Sequence, residues 1–171
     1  MALSKLVYIG NVSASYDLAT IIKAVEGLEG VELHIAGTTD PARTCLESGY
    51  SCPRYHFHGY LSAAELEKLL AECDLGLIPM FPASCVGIPY KLADYAKAGL
   101  KIVESLGGET GELVAKFGVG THYEAGNIDS CRAAITAALN LQVPPAQTAA
   151  FASQFDASTI YPAYVRWATA I

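Results

Sequence analysis

Charge is scarce in this chain. Only 16% of its 171 residues are charged, and 11 basic against 17 acidic side chains leave a formal net charge of −6. Lys and Arg nowhere cluster, which excludes a general nucleic-acid surface. No apolar run approaches the ~20 residues that a membrane span needs. The apolar stretch in MALSKLVYIGNV ends at Gly10, too soon for a secretory leader. The five cysteines (Cys45, Cys52, Cys73, Cys85 and Cys131) are odd in number, scattered and without a C-x-x-C pair. They fit reduced thiols in a reducing compartment, with a Cys45–Cys52 bridge across that loop left as the alternative. The N-V-S sequon at Asn11 has meaning only for a secreted chain. A soluble, cytoplasmic protein is the expectation.

What the sequence has is apolar residues, at 52%, and fifteen glycines. That composition and length suit one compact, well-buried α/β domain over residues 1–171. Strand-like and helix-like segments alternate almost without a break. KLVYIG reads as a strand, and DLATIIKAVEGLE as a helix with Leu18, Ile21, Ile22, Val25 and Leu28 at helical spacing. VELHIAG is the next strand, Pro41 starts a helix to about Ser48, and RYHFHG follows as a strand. SAAELEKLLAEC opens on a capping box, Ser62 with Glu65 three residues on. DLGLIPM and LKIVES are strands around the helix of IPYKLADYAKAG, and GELVAKF and GVGTHY complete the alternation. Helices fill the rest from Asn127, broken by Pro144–Pro145, and the helices over 146–171 pack across the domain. About six strands each followed by a helix predict a doubly wound, Rossmann-like parallel sheet with helices on both faces. Such sheets bind ligands at the carboxyl ends of their strands. Gly10, Gly37, Gly59 and the pair Gly107–Gly108 all follow strands there.

One helix is electrostatically backwards. In GIPYKLADYAKAGLKIVES, Pro89 starts a helix that Gly99 stops, and Lys91 lies in its first turn. A helix N-terminus carries partial positive charge, so a lysine there is disfavoured by about 0.3–1 kcal/mol unless an anion offsets it. Asp94, three residues on, leaves the same side of the helix. A solvated Lys–Asp surface pair is the plain reading; an anion site is the functional one.

Taken in order, these segments resemble the C-terminal, nucleotide-sugar-binding half of a GT-B glycosyltransferase, close to glycosyltransferase family 4 (glycosyl transferase group 1). LVYIGNV is similar to the family's first strand and glycine loop, and YHFHGYLSAAELEKLLAECDLGLIPM to its strand–Gly–helix–strand block. GIPYKLADYAKAGLKIVES resembles the segment whose acid grips the donor ribose, and GGETGELV the Gly-Gly loop ending in a helix glutamate. The resemblance implies a nucleotide-diphosphate sugar as substrate, retained anomeric configuration, and a role in polysaccharide or glycoconjugate synthesis. It implies no cofactor and no metal. It places Asp94 on the ribose, Lys91 with the helix amides on the pyrophosphate, and Gly10, Asn11, Gly59, Tyr60, Val86, Gly87, Ile88, Gly107 and Gly108 around the donor. Catalysis also needs an N-terminal acceptor domain, in the same or a partner chain, so no catalytic residue is assigned in this half. Peripheral membrane association of the full enzyme is a further expectation.

Two departures favour an alternative, a Rossmann-like binding or regulatory module that has lost transfer. Val86 stands where the family often has a glutamate facing the sugar, eight residues before the ribose acid. The loop NVSASYD lacks the family's diphosphate-binding cations. SLGGETGE lacks the Lys-Ser/Thr of a P-loop and the G-x-G-x-x-G of a dinucleotide fold; it reads either as donor contacts or as a tight turn. A flavodoxin-like or response-regulator-like domain shares the alternation, but no paired acids follow the first strand. His56 and His58 face one side of a strand, and no third ligand stands out along the chain, so no metal site is expected. Cys85 has no evident base, and Trp167, Tyr161 and Tyr164 form a packing stripe on the last helix, for the core or an absent partner domain. Which nucleotide, sugar and acceptor are involved has no side-chain signature.

Overall fold

The computed structural model describes residues 3–11, 15–38 and 54–169. The strands are β1 (Ser4–Ile9), β2 (Val31–Ala36), β3 (Tyr55–Gly59), β4 (Leu75–Ile78), β5 (Lys101–Glu104) and β6 (Gly120–His122). The helices are α1 (Leu18–Glu26), α2 (Ala63–Ala71), α3 (Tyr90–Ala98), α4 (Gly108–Phe117), α5 (Ile128–Asn140), α6 (Pro145–Ala152) and α7 (Ala157–Thr169). All six strands pair in parallel in the order β3-β2-β1-β4-β5-β6. The doubly wound, Rossmann-like sheet expected from the alternation is therefore present. The expected helix from Pro41 and the Cys45–Cys52 pair lie outside the described residues, as do the side chains of Tyr164 and Trp167.

The inner strands are largely apolar on both faces because both faces are covered, whereas the edge strands β3 and β6 are more exposed. Leu6 and Tyr8 of β1, Leu33 and Ile35 of β2, and Leu75 and Leu77 of β4 pack with α1 and α5. The alternate residues Val7, Ile9, Ile78 and Ile102 meet Leu69 and Leu70 of α2, Leu92 and Tyr95 of α3, and Phe151 of α6. The period of two along each strand thus builds two cores.

Local signals place the helix ends. The capping box of α2 is formed: Glu65 N–H donates to Ser62 Oγ, and Ser62 N–H to Glu65 Oε2 at 2.8 Å. Gly99 ends α3 in the left-handed region at φ 76°, a conformation that costs glycine nothing. The chain leaves β3 at one edge, crosses through α2, and enters the sheet again as β4 beside β1. The strand order reverses there, and a crevice opens outside the carboxyl ends of β1 and β4.

Candidate functional site

That crevice is a cleft of about 480 Å³. Ile9, Gly10 and Asn11 enter it from the end of β1, Ala36 and Gly37 from β2, Tyr60 and Leu61 from beyond β3, and Met80 from beyond β4. Val86, Ile88, Pro89, Tyr90, Lys91 and Asp94 close it from the loop and first turns of α3. The loops after β1 and β2 approach so closely that a Cβ on Gly37 would stand 2.2 Å from the Gly10 carbonyl oxygen. Only glycine fits there, and its N–H donates to the Gly59 carbonyl at 2.9 Å. The part of the cleft beside these loops is consequently backbone.

Lys91 is the unusual group. It is 7% exposed, and its Nζ has no hydrogen-bond partner among the described residues. Nζ lies 4.1 Å from the centroids of both the Tyr8 and the Tyr16 rings. The two π faces offset part of the cost of burying a cation, on the order of 0.5–2 kcal/mol each. They do not replace water, and burial pushes the Lys91 ammonium down to about 7. The solvated Lys–Asp pair is thereby set aside. Tyr8 donates its hydroxyl hydrogen to the Asn11 carbonyl at 2.9 Å, which fixes one wall of this aromatic box.

Among the described residues, no side chain caps the end of α3 beside Lys91 either. Pro89 is its N-cap and supplies no side-chain acceptor. The N–H groups of Tyr90 and Lys91, at the first two helical positions, have no intrahelical acceptor by geometry. Asp94, one turn deeper and exposed along the cleft, has its carboxyl raised by the desolvation it meets there. Amide donors, a cation and a carboxylate acceptor line one side of an otherwise apolar cleft. This set suits a ligand with an anionic centre and a hydroxyl-bearing neighbour.

The glycine loop before α4 braces this wall. Thr110 Oγ1 donates to the Gly87 carbonyl at 2.6 Å, and a Cβ on Gly87 would meet Glu109 Oε2 at 2.4 Å. Glu104, 1% exposed, accepts the Gly107 N–H at 2.8 Å on one oxygen and bonds His122 Nδ1 at 2.7 Å through the other. Of the expected positions, Gly10, Asn11, Tyr60, Val86, Ile88, Lys91 and Asp94 come together on the cleft. Gly59 and Gly87 sit one layer behind through their carbonyls, and Gly107 and Gly108 form the turn into α4. Tyr8 and Tyr16 were not among the expected residues. Their part depends on β1 and the β1–α1 loop meeting α3 in space, which no local spacing reveals.

The profile of the family described as "Glycosyl transferases group 1" matches residues 4–141. The chain belongs to that family. Its fold is shared with solved glycosyltransferase structures. Sucrose-phosphate synthase from Thermosynechococcus elongatus superposes with a TM-score of 0.78 at 14% identity, over 99% of this chain and 46% of that one. Anabaena HepE, solved in complex with UDP-glucose, gives 0.76 at 15% identity, over 99% and 49%. WaaG, a glycosyltransferase involved in lipopolysaccharide biosynthesis, gives 0.67 at 19% identity, over 88% and 41%. The chain thus spans about half the length of these structures or less. No curated protein sequence matches it. Among the described residues of this group 1 family member, no helix is long and apolar enough to cross a membrane.

Proposed function

We propose that this chain is the donor-binding half of a retaining glycosyltransferase, taking a nucleotide-diphosphate sugar and working with an N-terminal acceptor domain. The buried Lys91 at the open end of α3, without a hydrogen-bond partner among the described residues, carries the reading. A diphosphate at that end receives the Tyr90 and Lys91 amides and draws Nζ, on its flexible stem, out of the tyrosine box into a charge-assisted pair. Asp94 accepts hydrogen bonds from the ribose hydroxyls. The apolar floor of Ile9, Leu61 and Met80 and the backbone of Gly10 and Gly37 take the nucleoside. In transfer, negative charge develops on the leaving diphosphate, and Lys91 with the helix amides stabilises it more in the transition state than in the ground state. The complex of HepE with UDP-glucose and the family membership support a nucleotide sugar as ligand. The chemistry needs no metal, because an ammonium and a helix end neutralise the diphosphate.

The exposed apolar rim (Tyr60, Val86, Ile88 and Tyr90) faces the opening and suits the acceptor domain. The exposed residues Ile160 and Tyr161 of α7 suit the chain's return towards that domain. A cytoplasmic role in polysaccharide or glycoconjugate synthesis belongs to this reading, as does the free state of Cys73, Cys85 and Cys131. One observation favours a binding module without transfer. Val86, an apolar residue, lines the cleft where the family often has a carboxylate for the sugar.

Calorimetric titration with UDP, GDP, ADP and CMP tests the proposal. One diphosphate binds with a Kd on the order of 0.1 mM to several mM, as half a cleft should. Asp94→Ala and Lys91→Met each weaken it about tenfold or more, the worth of a hydrogen bond to a charged group. Failure of every nucleotide to bind at about 10 mM would overturn it.

A further inference from the structure

Outside the cleft lining, the β2–β3 edge of the sheet gathers a second set of functional groups. Glu32 and His34 alternate on β2 and so share a face. The parallel register sets His34 beside His56 of the edge strand β3. A ligand atom from each of Glu32, His34 and His56 lies within 4.8 Å of the other two. His34 Nε2 is 3.1 Å from Glu32 Oε1, and His56 Nε2 is 3.6 Å from Glu32 Oε2. Donor atoms about 2.0–2.1 Å from a tetrahedral zinc ion are themselves about 3.3 Å apart, close to the spacing of His34 Nε2 and Glu32 Oε1, while His56 lies against the other oxygen of the same carboxylate. Rotation of the half-exposed His56 ring and of the Glu32 carboxylate brings the three donors onto one ion.

We propose that Glu32, His34 and His56 bind a divalent transition metal of the zinc type, with His58 as the group that orients His34. Two imidazoles and a carboxylate suit zinc, cobalt(II) or nickel(II) better than magnesium or calcium, which favour all-oxygen sites. His34 Nδ1 lies 2.9 Å from His58 Nε2. With the metal on Nε2, His34 carries its proton on Nδ1 and donates it to His58, the outer partner that metal-bound histidines usually have. His34 is 7% exposed, so its environment is already desolvated, while His56 opens the site to solvent. The nearby cation Lys5 has Nζ 4.0 Å from Glu32 Oε1 and is held closer, at 3.1 Å, by Glu72. The metal fastens the edge strand β3 to β2. Spacing along the chain offers His56 and His58 no further ligand; the others come from the neighbouring strand.

Cobalt(II) titration of this chain, followed by its visible d–d absorption and by displacement with zinc, tests the site. The expected result is one equivalent bound through nitrogen and oxygen donors. His56→Ala and Glu32→Gln each weaken binding tenfold or more, His58→Gln weakens it about tenfold, and His122→Ala leaves it unchanged. His56 is half exposed and its truncation leaves the fold intact, so loss of binding there is loss of a ligand. The proposal is overturned if the spectrum shows thiolate charge transfer. Parental affinity in both His56→Ala and Glu32→Gln overturns it too, as does no binding below about 1 mM.

Discussion

If Lys91 waits unpaired in its tyrosine box for an anion, binding that anion must change its protonation. Its ammonium titrates at about 7 in the free protein, against 10.5 for an ordinary lysine. At pH 8 roughly a tenth of the free molecules carry the proton, and pairing with a diphosphate restores nearly all of it. Binding at pH 8 therefore takes up about 0.9 proton. The ligand contributes little, since a terminal phosphate with a pKa near 6 is already ionised. Calorimetry in buffers of different ionisation enthalpy reads that number from the slope of observed enthalpy. Affinity should also fall about tenfold from pH 8 to pH 9, close to 1.4 kcal/mol. Lys91→Met should bind weakly with no linked proton. The same shift has a stability counterpart. Because the folded value is depressed, the unfolded chain binds more protons between about pH 7 and 10.5, and stability rises with pH over that window. At and below pH 7 the buried cation costs the ligand-free fold several kcal/mol, roughly 5 at most. Lys91→Met should accordingly raise the denaturation midpoint near pH 6–7 and make little difference near pH 10. A proton number near zero in the parent chain, or the same number in Lys91→Met, would refute the reasoning.

Two further substitutions check the scaffold around the cleft. Gly37→Ala forces a Cβ to within 2.2 Å of the Gly10 carbonyl oxygen, so the β1 and β2 loops must part; a loss of about 1–3 kcal/mol in urea unfolding and weaker nucleotide binding are expected. Glu104→Gln keeps the shape but leaves one oxygen for the two contacts now made to Gly107 N–H and His122, and should lose about 1–3 kcal/mol by the same assay.

The fold was legible in the sequence because each element carries its own period and punctuation. Leu18, Ile21, Ile22 and Val25 mark the buried stripe of α1, Ser62 and Glu65 the start of α2, and Gly99 the end of α3. The alternation and the usual hand of parallel crossovers narrow the strand order without choosing it; the reversal between β3 and β4 comes from packing of the whole sheet. The site was legible only in part. The misplaced charge at Lys91 pointed to an anion, but what surrounds that charge, Tyr8 and Tyr16, comes from residues more than seventy positions away. The edge cluster was illegible for the same reason. Glu32 and His34 become neighbours of His56 only through the β2–β3 register, which no single strand specifies. Contacts within an element are written in its spacing; contacts between elements depend on how the whole sheet closes.

The central claim is that the amino end of α3 receives a nucleotide diphosphate. Mapping backbone amide shifts of isotope-labelled protein during titration with the best-binding diphosphate tests it most directly. The account predicts that Tyr90, Lys91, Gly10 and Gly37 move together and saturably, and that Asp94→Ala reduces the affinity while leaving the same amides as the responders. Saturable shifts confined to another surface, or none at Tyr90 and Lys91 when the nucleotide is saturating, would contradict it.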